Sequence, residues 1–114
     1  MNLLFKIIVL VFITNFSFSQ SAVKTVTFHV TGVCGDCKER IENAADIKGV
    51  KKCTWDKKTK IATVIIDEKK VTQSQVEKAI AMAGYDTDNE KGDEKAYTKL
   101  PDCCHYKDPA NQNQ

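Results

Sequence analysis

Five cysteines in a chain of 114 residues carry the chemistry that this sequence could do. Cys34 and Cys37 stand two residues apart in Thr31-Gly32-Val33-Cys34-Gly35-Asp36-Cys37-Lys38. Cys103-Cys104-His105 forms a second cluster near the C-terminus, and Cys53 stands alone. Two sulfurs at CxxC spacing can converge on one point, and a glycine between them leaves the backbone free to turn. Converging thiolates suit soft ions such as Cu(I) and Hg(II). A closed structural zinc site takes four ligands, so the pair by itself does not make one. Two other chemistries use the same spacing. A redox dithiol is one, because CxxC at a strand-to-helix junction also describes thioredoxin-like proteins. Those carry it on a long helix of a larger α/β domain, for which this chain has little room. An inert disulfide is the other, but it would close a tiny loop and stabilise little.

The second cluster reads differently. Adjacent cysteines form only a strained disulfide, whereas as thiolates Cys103 and Cys104 can hold a soft ion, with His105 adding a nitrogen donor. The cluster can join the first pair, act separately, or have no role. Cys53 falls in phase with Trp55 on a strand expected to face helices, which makes it a buried, inert thiol. His29 falls on the polar face of its strand and reads as a solvated histidine.

The elements around the CxxC loop follow from periodicity. Val23 to Val30 alternates, with Val26, Phe28 and Val30 on one face, as a half-buried strand does. Cys37 to Ile47 reads as a short helix with Ile41, Ala44 and Ala45 on one side, ended by Gly49. The loop therefore lies where a strand hands over to a helix, and the helix N-terminus favours the thiolate form of Cys37. Val50 to Asp56 and Ile61 to Ile66 make a hairpin around Asp56-Lys57-Lys58-Thr59. Thr72 and Gln75 form a capping box, with Val71 and Val76 as its hydrophobic staple, for a second helix that ends at Gly84. Tyr85 to Thr87 is a short last strand. The order βαββαβ predicts an α+β ferredoxin-like sandwich of two layers over residues 23–88. Residues 89–114 read as a polar linker followed by the Cys-Cys-His tail, with Pro109 to Gln114 disordered.

Composition bounds the function. Lys6 precedes an unbroken apolar run from Ile7 to Ile13, and Ser17-Phe18-Ser19 offers small residues for a signal peptidase, so residues 1–19 read as a cleaved signal peptide. The run is shorter than the roughly 20 residues of a membrane span. The mature chain is expected to be exported to the periplasm and not embedded in a membrane. Its charge is close to zero once Lys6 leaves, and no basic stripe interleaves with aromatics, so nucleic acid is a poor partner. No nucleophile–base pair or paired carboxylates stand at convincing spacing, which points to a carrier and not an enzyme.

Gly32-Val33-Cys34-Gly35-Asp36-Cys37 with Arg40-Ile41-Glu42, then Gly49-Val50, then Ala79-Ile80-Ala81-Met82-Ala83-Gly84-Tyr85, resembles the heavy-metal-associated domain family over about residues 25–88. That family includes small copper chaperones, N-terminal domains of copper-transporting ATPases and periplasmic mercury-binding proteins. The resemblance implies the same ferredoxin-like fold. It also implies a soft-metal cargo, Cu(I) ahead of Hg(II), on Cys34 and Cys37, handed by ligand exchange to a metal-transporting ATPase or efflux component. The family usually has a methionine at the position of Gly32, so the loop here should be looser or differently packed, and the first helix is about one residue short. The topology places Tyr85 beside the loop, where it either completes the core or acts on the metal directly. An aromatic there resembles exported and transporter-linked members. Exported members with a CGxC loop are also similar in the tail, which implies that Tyr97, Leu100 and Pro101 dock it. The last strand should end away from the loop, so the tail must run back about 14 residues, a span of roughly 20 Å.

Overall fold

The computed structural model describes residues 22–113; the expected signal peptide lies outside them. Three strands form one antiparallel sheet: β1 (Val23–His29), β2 (Val50–Trp55) and β3 (Ile61–Asp67), in the order β1-β3-β2. Register sets the buried row. Val26 pairs with Val64 and Phe28 with Ala62, while Cys53 and Trp55 meet the same two residues of β3 from the other side. Because side chains alternate along a strand, these residues share one face, and all but the half-buried Cys53 are buried.

Helices α1 (Gly35–Ala44) and α2 (Gln73–Met82) supply the rest of the core. Cys37, Ile41 and Ala45 are buried along α1, and Val76 and Ile80 along α2. At the start of α2 the Thr72 hydroxyl accepts from the Gln75 amide at 3.2 Å, and the Gln75 side chain accepts from the Thr72 amide at 3.0 Å. This is the expected capping box, with Val71 and Val76 both buried. Gly84, at φ +106°, ends the helix in the left-handed region, where a side chain would be strained. Helix α1 stops earlier than its periodicity predicts. Ala45 caps it in helical geometry, and Gly49, at φ +98°, turns the chain into β2 instead of ending the helix.

The expected last strand is reduced to one bridge, Val30 with Thr87. Its backbone groups are used in a turn instead. The Thr87 amide donates to the Glu90 carbonyl at 2.8 Å, and the Asp86 carboxylate accepts from the Gly92 amide at 2.7 Å. Glu77, 1% exposed on α2, fixes this turn. Its carboxylate accepts from the Thr87 hydroxyl, the Asn89 amide, and the side-chain amides of Asn89 and Gln73, at 2.8 to 3.2 Å. A buried carboxylate needs such donors, because bare burial of a charge is costly.

The stretch read as a linker is therefore ordered, and it does not lead away from the loop. Gly92 lies so close to Gly84 that a Cβ on it would stand 2.8 Å from the Gly84 carbonyl. The Asp93 amide donates to Ala81, and Asp93 caps a short helix, α3 (Glu94–Thr98). Two 3₁₀ turns follow, Asp102–Cys104 and Pro109–Asn111. The second stands where disorder is expected; the Asn111 side chain holds it by donating to the carbonyls of Asp102 and His105. Leu100, Cys104 and Tyr106 are part of the same core as the sheet and helices. Among the described residues no helix is long and apolar enough to cross a membrane.

Candidate functional site

The strand-to-helix loop places its two cysteines as the spacing predicts. Cys34 is the N-cap of α1, in extended geometry and without a side-chain cap, and Cys37 lies in the first turn. Their sulfurs are 3.3 Å apart, with Cys34 7% and Cys37 0% exposed. Gly35 has open space where a Cβ would be.

The tail brings two more sulfurs to the same place. Cys34 Sγ lies 3.1 Å from Cys103 Sγ and 3.4 Å from Cys104 Sγ. Cys34, Cys37 and Cys104 form a buried trio whose sulfurs all lie within 4.8 Å of one another. Cys103 is half-buried, 4.0 Å from Cys104 and 3.5 Å from the Asp36 carboxylate. His105 is not part of the trio. Its ring packs against Tyr97, with centroids 5.1 Å apart. Its Nε2 is buried and makes no hydrogen bond to the described residues. All five cysteines are free thiols.

The cluster shifts its thiols in opposite directions. Burial pushes the Cys34 thiol up, but hydrogen bonds with Cys103, the Cys37 amide, and the thiols of Cys37 and Cys104 outweigh that and leave it below its ordinary value. The neighbours move the other way. The hydrogen bond with Cys34, then burial, push Cys103 up to about 11. Burial, then Cys37 and Cys34, hold Cys104 well above the thiol range. The tail thereby eases proton loss at Cys34 and opposes it at Cys103 and Cys104, and metal binding to such sulfurs releases protons.

Tyr85 lies under this cluster, 0% exposed. Its hydroxyl has no hydrogen-bond partner of ordinary geometry. Burial, then the thiols of Cys104 and Cys37, keep it neutral well beyond the usual tyrosine range. Gly32 lies on the other side of the loop. A Cβ there would stand 2.9 Å from both the Ile41 and the Trp55 side chains. The loop is therefore not looser but packed on Trp55, whose indole N–H donates to the Val30 carbonyl at 3.1 Å. Trp55 is held by α1 in turn. Glu42 accepts from its amide at 2.8 Å, and Lys38 bonds both Glu42 and the Trp55 carbonyl. Cys53 is half-buried, and burial, then the Glu42 charge, push its thiol up to about 11.

Four anchoring residues have no strong sequence signal. Tyr106 follows the cysteine cluster directly, and its buried hydroxyl donates to the Gly84 carbonyl at 2.8 Å. Glu77 stands at the margin of an apolar helix face, where only its distant partners Thr87 and Asn89 explain it. Lys38 and Glu42 form an ordinary i,i+4 pair whose tie to β2 is invisible in one dimension.

The model of the heavy-metal-associated domain matches residues 27–86, just over half of the chain. The chain belongs to the heavy-metal-associated domain family. Solved structures agree. The CopZ metallochaperone is 33% identical, with a TM-score of 0.54 over 56% of this chain and 98% of its own. Oxidized MerP from Ralstonia metallidurans CH34 is 34% identical, with a TM-score of 0.55 over 58% and 94%. The N-terminal domain of a potential copper-translocating P-type ATPase from Bacillus subtilis, in its Cu(I)-loaded state, is 25% identical, with a TM-score of 0.54 over 57% and 84%. No curated sequence matches the chain. The ferredoxin-like α+β fold read from periodicity is thus the fold of this family, and the Cys34–Cys37 pair lies within the matched segment. The matched segment ends at Asp86, so the tail that carries Cys103 and Cys104 lies beyond the family's domain.

Proposed function

We propose that this protein is an exported carrier of a soft-metal cargo, Cu(I) above all. It takes the ion on Cys34 and Cys37 and passes it to a membrane transport or efflux component. The observation that carries the reading is the pair of buried sulfurs 3.3 Å apart at the start of α1, within a heavy-metal-associated domain. Hydrogen bonds from its neighbours lower the cost of deprotonating Cys34 as the ion binds, and soft thiolates favour Cu(I). Likeness to a metallochaperone and to a Cu(I)-loaded ATPase domain supports a transporter as acceptor. Transfer is an exchange without redox change. An acceptor thiol loses its proton as its sulfur bonds the ion and one cysteine–metal bond here breaks, and that proton ends on the leaving sulfur. Nothing in that step requires a catalytic base, which fits a carrier and not an enzyme. Hg(II) is the second cargo, on the same softness argument and on the likeness to MerP.

Competition of the reduced protein against a Cu(I) chelator tests the reading. Tight one-to-one binding that is lost in Cys34→Ser with Cys37→Ser is the expected result, and unchanged affinity in that variant overturns it. Turnover of a disulfide substrate without tight metal binding would instead favour a thiol oxidoreductase. Export to the periplasm rests on residues 1–19. Expression of the full chain in a bacterial host should yield a periplasmic product beginning at Gln20; an uncleaved cytoplasmic product removes that part of the reading.

A further inference from the structure

We infer that the C-terminal segment completes the cargo site, with Cys104 as a third sulfur ligand that encloses the ion held by Cys34 and Cys37. The inference rests on the carrier reading above and goes beyond the two-sulfur loop that the family's domain contains.

Three observations carry it. First, the sulfurs of Cys34, Cys37 and Cys104 all lie within 4.8 Å of one another, and Cys34 is 3.4 Å from Cys104. For metal–sulfur bonds of about 2.3 Å, three sulfurs around one ion stand about 4 Å apart, so the trio needs only a small outward shift. Second, Cys104 is 0% exposed and is held in place, not met by chance. Its amide donates to the Pro101 carbonyl at 2.8 Å in the 3₁₀ turn. Leu100 and Tyr106 bury themselves on either side, and Tyr106 donates to Gly84. Third, the sulfurs face one another: Cys34 lies 3.3 Å from Cys37 and 3.4 Å from Cys104, while the buried Tyr85 hydroxyl has no ordinary hydrogen-bond partner. Burying three thiols together without a shared ligand leaves weak donors and acceptors facing each other, whereas a soft cation satisfies all three.

The geometry also divides the two tail cysteines. Cys104 belongs to the enclosed trio; Cys103 is half-buried, touches Cys34 from outside and leans on the Asp36 carboxylate. Only the inner sulfur is assigned as a resident ligand.

The test uses the full mature chain, reduced and loaded with one equivalent of Cu(I), with X-ray absorption at the copper edge to count sulfurs. The unsubstituted protein should show three. Cys104→Ser should show two and bind Cu(I) at least tenfold more weakly, since even indirect partners of a metal carry about 10–100-fold. Cys103→Ser should keep three sulfurs. Two sulfurs in the unsubstituted protein overturn the inference while leaving the carrier reading intact, and that measurement does not depend on any variant folding. An unchanged sulfur count and affinity in Cys104→Ser also overturn it. Absence of tight Cu(I) binding by the unsubstituted chain removes both the carrier reading and this one.

Discussion

The hydroxyl of Tyr106 donates to the carbonyl of Gly84 at 2.8 Å, in a buried bond that ties the C-terminal segment to the turn ending α2. Tyr106 also packs beside Tyr85 and meets Tyr97 edge-on, with centroids 6.0 and 4.9 Å away. The bond therefore connects the tail to the residue lying under the sulfur cluster. Tyr106→Phe keeps the ring and removes the donor, leaving a buried carbonyl without it. The variant should lose about 1–3 kcal/mol in denaturant unfolding. Cys104, fully buried in the native chain, should become open to alkylation well before global unfolding. If Cys104 stays protected at the native rate, the bond does not hold the tail.

Gly32 is kept small by what packs on it. A methyl group there would stand 2.9 Å from Ile41 and Trp55, too close without movement of the loop. Gly32→Ala should cost about 1–3 kcal/mol through overpacking. Combined with Trp55→Phe, which makes room, the loss should be smaller than the sum of the two single losses. Strict additivity in thermal or denaturant unfolding would mean that the two residues do not compete for that space.

Glu77 organises the turn from which the tail starts. Glu77→Ala strands the donors of Thr87 and Asn89 and should cost about 2–3 kcal/mol. Hydrogen exchange should quicken first across residues 86–93 and then in α3. Faster exchange confined to α2 would count against the turn as the element Glu77 supports.

Cys53 makes stability depend on pH in the alkaline range. Burial holds its folded value at about 11, above the roughly 8.5 of an exposed thiol. Between those values the unfolded chain has lost the proton and the folded chain keeps it, so the folded state binds more protons and stability falls as pH rises. The reduced protein should therefore melt at a lower temperature at pH 10 than at pH 8. Cys53→Val should flatten that slope, because it removes the titrating group and keeps an apolar side chain at a half-buried strand position. An unaltered slope would assign the effect to other thiols.

Much of this molecule is legible from local pattern. Alternation at Val26 and Phe28 and at Ala62, Val64 and Ile66 gives the strands and their inner face. Thr72 and Gln75 give the start of α2, and Gly84 its end. These signals act within a few residues, so periodicity and capping chemistry determine them. The CxxC pair is legible for the same reason, since strand and helix on either side fix where its sulfurs stand. The early end of α1 and the loss of the last strand were not legible. Gly49 serves the turn into β2, and the backbone of Thr87 is engaged by a turn anchored on Glu77, ten residues earlier in the chain.

The sequence by itself determined a ferredoxin-like scaffold with two thiols at a helix N-terminus, and it named a second pair of thiols without placing them. Only the tertiary structure decided that the tail folds back over the loop, that Cys104 enters the core beside Cys34 and Cys37, and that His105 turns to Tyr97 instead. The physical reason is range. Cys34 and Cys104 are separated by 70 positions, and their contact depends on the 86–92 turn, the Gly84–Gly92 approach and the Tyr106 bond acting together. No local propensity encodes such a contact; the packing of the whole domain selects it.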